Sequence, residues 1–326
     1  MSEYDTIRNI ASAFARSPLQ RNGIFECDAE IVEIGNQLWA LTIDEFSPGE
    51  DLFTSDDPEA LGANLATATI SDLLAAGADP QWFMHAISLP RDCYPGFATG
   101  LASGISDVLA RIGCSLCGGD LGQADTWRFC GFAMGPVRRS TPLTRVLPAE
   151  PQKLWVTGRL GDANLAAFTG SQTPSFELRS AEAVLIREIA TACIDTSGGF
   201  MDSVWMLHQV SPKVRIEIDI ARLPLDPALI ELARAHGFPP EAALLGGAGE
   251  YELLFAAPES VDVPDHVATC VATAVSAAEP GVFIKRGGAL ISQMVDPPPC
   301  PREAATTRDH IDEVMAMAAR LFGGRV

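Results

Sequence analysis

The sequence predicts an α+β protein built from two domains. Three observations carry that prediction: the order of elements in the first half, a polar, proline-bearing stretch at 137–152 that divides the chain, and a length of 326 residues. Such a length suits about two domains of ordinary size. The apolar fraction of 47% is ample for a packed core.

Residues 29–34 (A-E-I-V-E-I) and 37–43 (Q-L-W-A-L-T-I) flank Gly35-Asn36 and read as a β-hairpin with a two-residue turn. The second strand is apolar on both faces, so a central position is expected. Pro58 to Ala78 reads as a helix, with proline near its start and Gly77 near its end. A strand (82–89), a helix (96–112), a strand (113–118) entering G-G-D and a strand (127–135) follow. The order ββαβαββ is that of one antiparallel or mixed sheet with helices on one face.

The second half opens with the strand L-W-V-T-G. Helices are expected near 180–192, 199–209 and 226–236, and strands at 213–220, 251–257, 268–275 and 282–286. The prolines of 295–307 exclude regular helix and central strand there. A last helix, 308–322, sets Ile311, Val314, Met315, Ala318 and Leu321 on one side. The expected organisation is therefore 1–138, 150–295, and a proline-rich segment with a terminal helix at 296–326.

A net charge of −19 argues against a nucleic-acid partner, whose phosphates call for basic stripes. No apolar run reaches the ~20 residues that span a bilayer. The start, M-S-E-Y-D-T-I-R, lacks the apolar region of a signal peptide, so a cytoplasmic location is expected. Eight cysteines sit mostly inside apolar runs, as small hydrophobes of a reducing compartment do. Cys114 and Cys117 have C-x-x-C spacing but lack a second pair at zinc-site distance.

Four aspartates end short apolar runs: Asp44 in L-T-I-D, Asp72 in T-I-S-D, Asp120 in C-G-G-D and Asp195 in C-I-D. A carboxylate at the lip of a buried element is costly to desolvate unless a cation or hydrogen-bond donors meet it. Asp72 falls within the helical stripe of Leu61, Leu65, Ala68 and Ala76, while Ile70, Leu73 and Leu74 make a second apolar side. Either the second side packs inward, or the helix is buried on both. Carboxylates gathered with few bases nearby suggest a shared divalent metal, a common way to hold nucleotide phosphates. The five histidines offer no competing catalytic centre, and His85, within an apolar strand, reads as a core residue.

These motifs, in order, resemble the thiamine-monophosphate kinase family, of the superfamily that includes aminoimidazole ribonucleotide synthetase and selenophosphate synthetase. E-C-D-A-E-I-V-E-I (26–34) is similar to the family's G-D-D-A-A-V-V, and T-I-D (42–44) to T-T-D. I-S-D-L-L-A-A-G-A-D-P (70–80) matches S-D-L-A-A-M-G-A-x-P, and G-G-D-L (118–121) resembles G-G-D-T. Arg145 precedes L-W-V-T-G-R-L-G-D (154–162), as an arginine precedes V-T-G-x-x-G-D. I-D-T-S-G-G-F (194–200) and G-A-G-E-Y-E-L-L-F (247–255) resemble I-D-I-S-D-G-L and G-G-E-D-Y-E-L-L-F.

The resemblance implies an aminoimidazole ribonucleotide synthetase-like fold, a homodimer formed through the N-terminal strands, and ATP with Mg²⁺ between the two domains. It implies metal ligation by Asp28, Asp44, Asp72, Asp120 and Asp195, with Asp120 and Asp195 catalytic. Arg145, Ser197, Gly118, Gly119 and Asp120 would contact the nucleotide, and Asp51, Glu250 and Glu252 the acceptor. In-line phosphoryl transfer needs charge neutralisation and positioning more than an acid or base.

The chain departs from the pattern at Cys27 and Gly198, where the family has Asp, and at Thr69, Leu121 and Gly249. P-G-E-D-L-F (48–53) replaces E-G-V-H-F, and P-P-P-C-P replaces an aromatic end. The expectation is an ATP-dependent kinase that turns over thiamine monophosphate slowly. The alternatives are a related enzyme with another small-molecule acceptor, and a non-catalytic nucleotide-binding homologue.

Overall fold

The computed structural model describes residues 3–48 and 56–323. Two β-sheets organise it. The first contains β1 (Glu30–Ile34), β2 (Gln37–Phe46), β3 (Trp82–Leu89), β4 (Ser115–Gln123) and β5 (Arg128–Pro136) in the order β1-β2-β5-β3-β4. Only β3 and β4 pair in parallel there, so the sheet is mixed, as expected. The hairpin forms at Gly35-Asn36, whose φ angles of 57° and 67° are the left-handed pair that a type I′ turn requires. β2 is internal but second from the edge. β4 is the edge strand, and G-G-D lies inside it instead of beyond its end.

One face of this sheet is covered by α2 (Pro58–Ala75) and α3 (Pro95–Ile112). Asp57 caps α2 by accepting from the N–H groups of Glu59 and Ala60 at 3.0 and 3.1 Å, and Pro58 fills the first helical position. From Leu61 to Ala75 nearly every α2 side chain is buried, because sheet, α3 and the second unit enclose it. Both apolar sides of the helix are therefore used. The α2–α3 approach depends on Gly62 and Gly104, where a Cβ would run into the carbonyls of Leu101 and Glu59.

The opposite sheet face carries Trp39, Ile43, Trp82 and Met84 beside solvent, alternating with buried positions along the strands. Trp39 and Trp82 stack there at 5.3 Å.

The second sheet has the order β12-β11-β8-β10-β6-β9-β7. Its strands are β6 (Gln152–Val156), β7 (Ala192–Asp195), β8 (Val214–Asp219), β9 (Leu253–Pro258), β10 (Thr269–Ser276), β11 (Gly281–Arg286) and β12 (Ala289–Met294). The helices are α4 (Asp162–Thr169), α5 (Ser180–Ile189), α6 (Phe200–Val210), α7 (Pro227–His236) and α8 (Thr307–Phe322), and α1 (Glu3–Ser12) precedes the first sheet. α8 packs on the turn at 240–245 and on β12, where His310 Nε2 lies 2.8 Å from the Gly246 carbonyl.

Sequence reading misses α1, α4, β7 and β12 and runs α5 into β7. β7 has four residues, too few to display a period, and β12 is an exposed outer strand. One buried cluster joins the two units, with Ile70, Phe83 and Phe129 of the first packed with Ile186, Cys193 and Phe255 of the second. Among the described residues no cysteine forms a disulfide. Among the described residues no helix is long and apolar enough to cross a membrane.

The glycine contact yields a direct test. Gly104→Ala should lower unfolding stability by about 1–3 kcal/mol through overpacking. Gly96→Ala, in the same helix but facing only the Tyr94 ring at 3.5 Å, should change it by less than about 1 kcal/mol. Urea unfolding of both variants measures the difference.

Candidate active site

Four chain segments converge beside the N-terminal sheet. Asp28 sits in the turn that leads into β1, Asp44 on the helix-facing side of β2, Asp72 on α2 and Asp195 at the end of β7. The connection between the sheets threads through the same place. Leu143 N–H donates to the Ala76 carbonyl, Arg145 N–H to that of Glu26 at 2.7 Å, and Cys193 N–H to that of Thr144. Arg145 is thereby fixed against the turn carrying Asp28.

Carboxylate oxygens of Asp28, Asp72 and Asp195 all lie within 4.8 Å of one another. The side chain of Asp28 and the whole of Asp195 are each only 1% exposed. Some oxygens have partners. Arg145 Nε donates to Asp28 Oδ1 at 3.0 Å, with Nη2 on the same oxygen. Thr42 Oγ1 donates to Asp72 Oδ2 at 2.5 Å, and Ser197 N–H donates to Asp195 Oδ1 at 3.2 Å. Two oxygens, Asp28 Oδ2 and Asp195 Oδ2, are buried with no hydrogen-bond partner among the described residues.

The electrostatics follow from burial. Desolvation pushes Asp28 up to about 7, against the pull of Arg145. Desolvation, then repulsion from Asp44, Asp195 and Asp28, drives Asp72 well above the usual carboxylate range. Asp195 is also raised by burial, opposed by hydrogen bonds from Ser71 and Ser197. Burial works against the Arg145 charge, but the surrounding carboxylates outweigh it and hold the guanidinium protonated. One guanidinium for three buried acids leaves the site short of positive charge. An all-oxygen donor set with two orphaned oxygens suits a hard divalent cation, which would reverse these shifts.

Not every expected site residue joins this cluster. Asp120 is exposed on β4 and pairs with Ala86, whereas Asp44 shares its register row with His85 and Gly119. Asp120 therefore points to the opposite sheet face, with Gly118 and Gly119 beside it on the edge strand. Asp51 lies outside the described residues. Ser197 is exposed at the mouth, two residues beyond Asp195.

Glu250 and Glu252 are buried next to the site. Arg179 grips Glu252 with Nε and Nη2, both at 2.6 Å, and Thr157 Oγ1 adds a third donor. Its oxygens are thus occupied within the fold. The backbone of Glu252 exchanges hydrogen bonds with Thr196, which steadies the segment after Asp195. Gly249 presses on the Ser197 carbonyl, where a side chain would not fit. Glu250 accepts from Gly161 N–H at 2.8 Å, while its other oxygen is buried and unpartnered. Asp202 fills the space beside Gly198, with Oδ2 2.5 Å from where a Cβ would stand. Thr42, Ser71 and Arg179 are supporting residues that sequence reading passed over. Only Thr42, in T-I-D, and Ser71, in I-S-D, carried a local signal.

Comparison with known proteins places this geometry. Residues 26–137 match the AIR synthase related protein, N-terminal domain. A thiamine-monophosphate kinase of Archaeoglobus fulgidus is 30% identical over 250 residues, covering 72% of this chain and 79% of that protein. One from Pyrococcus abyssi is 28% identical over 275 residues, covering 80% and 85%. Among solved structures, AaThiL complexed with AMPPCP and TMP superimposes with a TM-score of 0.75 at 24% identity, covering 88% of this chain and 96% of that one. The last likeness speaks to the fold.

Two outcomes follow from the electrostatics. Asp72→Asn removes a buried charge that Asp44, Asp28 and Asp195 repel, so without metal the variant should be more stable by about 1–3 kcal/mol. If the cluster takes Mg²⁺, thermal unfolding should show the ion stabilising the parent and not the variant. Glu250 has a folded pKa raised by burial to about 8 from 4.5, so the folded state holds its proton longer than the unfolded one. Its stabilising contribution is complete below pH 4.5 and declines as pH rises towards 8. Glu250→Gln should therefore flatten the loss of stability between pH 5 and 8, measured by urea titrations across that range.

Proposed function

The chain belongs to the thiamine-monophosphate kinase family, and from that premise we propose that it transfers the γ-phosphoryl group of ATP to thiamine monophosphate, forming thiamine diphosphate and ADP with Mg²⁺. The observation that carries this reading is the buried carboxylate triad with two partnerless oxygens. In this reading Asp28, Asp72 and Asp195, assisted by Asp44, hold Mg²⁺. Held there, Mg²⁺ would supply positive charge against the phosphates, while these carboxylates fix its position. Arg145 holds Asp28 in place and, with Ser197, faces the phosphates.

The reading includes a homodimer. The open face with Trp39, Ile43, Trp82 and Met84 is an apolar surface of the kind that marks an interface. Asp120, Gly118 and Gly119 lie on or beside that face, so their part in nucleotide binding would be played next to the second copy. Glu252, saturated by Arg179 and Thr157, is assigned a positioning role, and Glu250 stays a candidate for the acceptor side. The units 1–138 and 150–295 are read as the two domains, and 296–326 as a proline-rich segment and terminal helix, of which α8 packs on the second unit. Eight cysteines without a disulfide among the described residues suit a reducing, cytoplasmic location.

The assay is transfer of label from γ-labelled ATP to thiamine monophosphate. The expected result is Mg²⁺-dependent formation of thiamine diphosphate with kcat/KM below ~10⁴ M⁻¹s⁻¹, because the acceptor-side motifs are altered. A higher value would show those alterations to be silent, and no transfer would contradict the function. AMPPCP at a hundredfold excess over Kd should stabilise the protein by ~2.7 kcal/mol when Mg²⁺ is present. Equal protection in EDTA would contradict the metal bridge. Sedimentation should give a dimer that Ile43→Lys dissociates, and a concentration-independent monomer in the parent would refute the interface.

A further inference from the structure

The proline-rich segment at 295–307 and α8 supply none of the three clustered carboxylates, yet they grip the segment that leads into the site. α8 is anchored along its length. Val314, Met317, Ala318, Leu321 and Phe322 are buried in the core of the second unit. Thr306 caps the start by accepting from Asp309 N–H at 3.1 Å. At the end Ser292 Oγ donates to the Leu321 carbonyl at 2.5 Å, and Arg286 Nη2 to that of Phe322 at 3.2 Å. His310 interrupts the apolar stripe one turn before Val314, and it is only 5% exposed. Its Nε2 lies 2.8 Å from the Gly246 carbonyl oxygen, which can only accept, so Nε2 carries the proton. Nδ1 is buried with no hydrogen-bond partner among the described residues. An aliphatic side chain would fill this place without burying a polar ring. The bond to Gly246 is what the histidine adds.

Pro301 holds the next residue. Its ring sits so close to Gly247 that a Cβ there would stand 2.7 Å from Cγ and Cδ. The chain then runs straight to the carboxylates. Gly246 is pressed against the side chain of Asn164. Asn164 Nδ2 donates to the Ala248 carbonyl at 2.7 Å, and Oδ1 accepts from Ala248 N–H at 3.1 Å. Gly249 presses on the Ser197 carbonyl, and Ser197 N–H donates to Asp195 Oδ1 at 3.2 Å. Three positions separate the His310 bond at Gly246 from the contact at Gly249. Between them, Gly247 and Ala248 are each held by a side chain from outside the loop. Packing this close transmits a displacement instead of absorbing it.

We propose that the tail clasps this loop, with His310 as a positioning residue for the cation site. Its bond to the Gly246 carbonyl, together with the Pro301 ring on Gly247, sets Gly249 against Ser197 and so fixes the turn that presents Asp195. The inference rests on the reading of Asp28, Asp72 and Asp195 as a Mg²⁺ site with Ser197 towards the phosphates. It adds what holds one wall of that site from outside. A loose turn would have to be ordered whenever metal and nucleotide bind, at a cost in affinity. The clasp orders it beforehand.

The test reads amide hydrogen exchange and ligand binding in the full chain. His310→Leu keeps the volume and removes the donor, whereas His310→Gln keeps an N–H group at similar reach. In the leucine variant, exchange over 195–199 and 246–250 should quicken. Its Kd for Mn²⁺ with AMPPCP, measured by calorimetry, should rise roughly 2- to 10-fold, the span of one net hydrogen bond. Glutamine should bring both readouts back to within about twofold of the parent. Ser292→Ala removes a bond at the far end of the same helix, so it should lower urea stability and move neither readout. A Kd that His310→Leu leaves unchanged overturns the clasp while the cation reading stands. Equal loss in the leucine and glutamine variants reduces His310 to packing and overturns its positioning role. If the parent binds no Mn²⁺, the cation reading falls and exchange decides the clasp: quickened exchange in His310→Leu supports it, and unchanged exchange overturns it. Should His310→Leu fail to fold, Pro301→Ala carries the same test through the neighbouring contact. Exchange and Kd equal to the parent's would then overturn the proposal.

Discussion

Three carboxylates gathered within 4.8 Å of one another, with one guanidinium among the described residues to balance them, form the constraint on which the rest of the site depends. Like charges at that range repel strongly where water is excluded. Burial and mutual repulsion both push protons onto the acids. The fold tolerates the arrangement because each acid has a local donor: Arg145 for Asp28, Thr42 for Asp72 and Ser197 N–H for Asp195. Those donors leave two oxygens unmet. Local hydrogen bonds hold the side chains in place, and the remaining demand for positive charge is what a ligand-borne cation would meet.

Much of the surrounding architecture serves this convergence. Nearly every side chain of α2 from Leu61 to Ala75 is buried, so Asp72 is carried on a helix that cannot move without disturbing the core. Glycines at 62 and 104 let α3 lie close and stiffen α2 from behind. The inter-sheet connection is stitched to Ala76, Glu26 and Cys193, which pins Arg145 between units that also share a buried cluster. Glu252, gripped by Arg179, steadies Thr196 and hence Asp195. Charges this costly to bury stay in place when the scaffold determines each of them more than once.

The sequence made some of this legible and hid the rest for identifiable reasons. The Gly35-Asn36 hairpin and α2 could be read because turn chemistry and helix caps are local signals. Asp72 stood out because a carboxylate interrupts an apolar stripe. The place of Asp28 came only from family resemblance, since its turn has no period. The position of Asp120 was not legible. Its register, together with the continuation of β4 through G-G-D, sets it on the far face of the sheet, and register depends on pairing that one strand does not reveal. The Arg179–Glu252 clamp and the approach of Tyr4 to Phe25 and Asp202 join residues far apart in the chain.

The central claim is that Asp28, Asp72 and Asp195 form one divalent-cation site. Anomalous diffraction from crystals grown with Mn²⁺ and AMPPCP tests it most directly. The account predicts a manganese peak within about 2.5 Å of oxygens from all three carboxylates, including at least one of the two that are otherwise unpartnered. A nucleotide-bound structure in which manganese lies elsewhere, or in which the three side chains keep their metal-free arrangement with no anomalous peak among them, would contradict it.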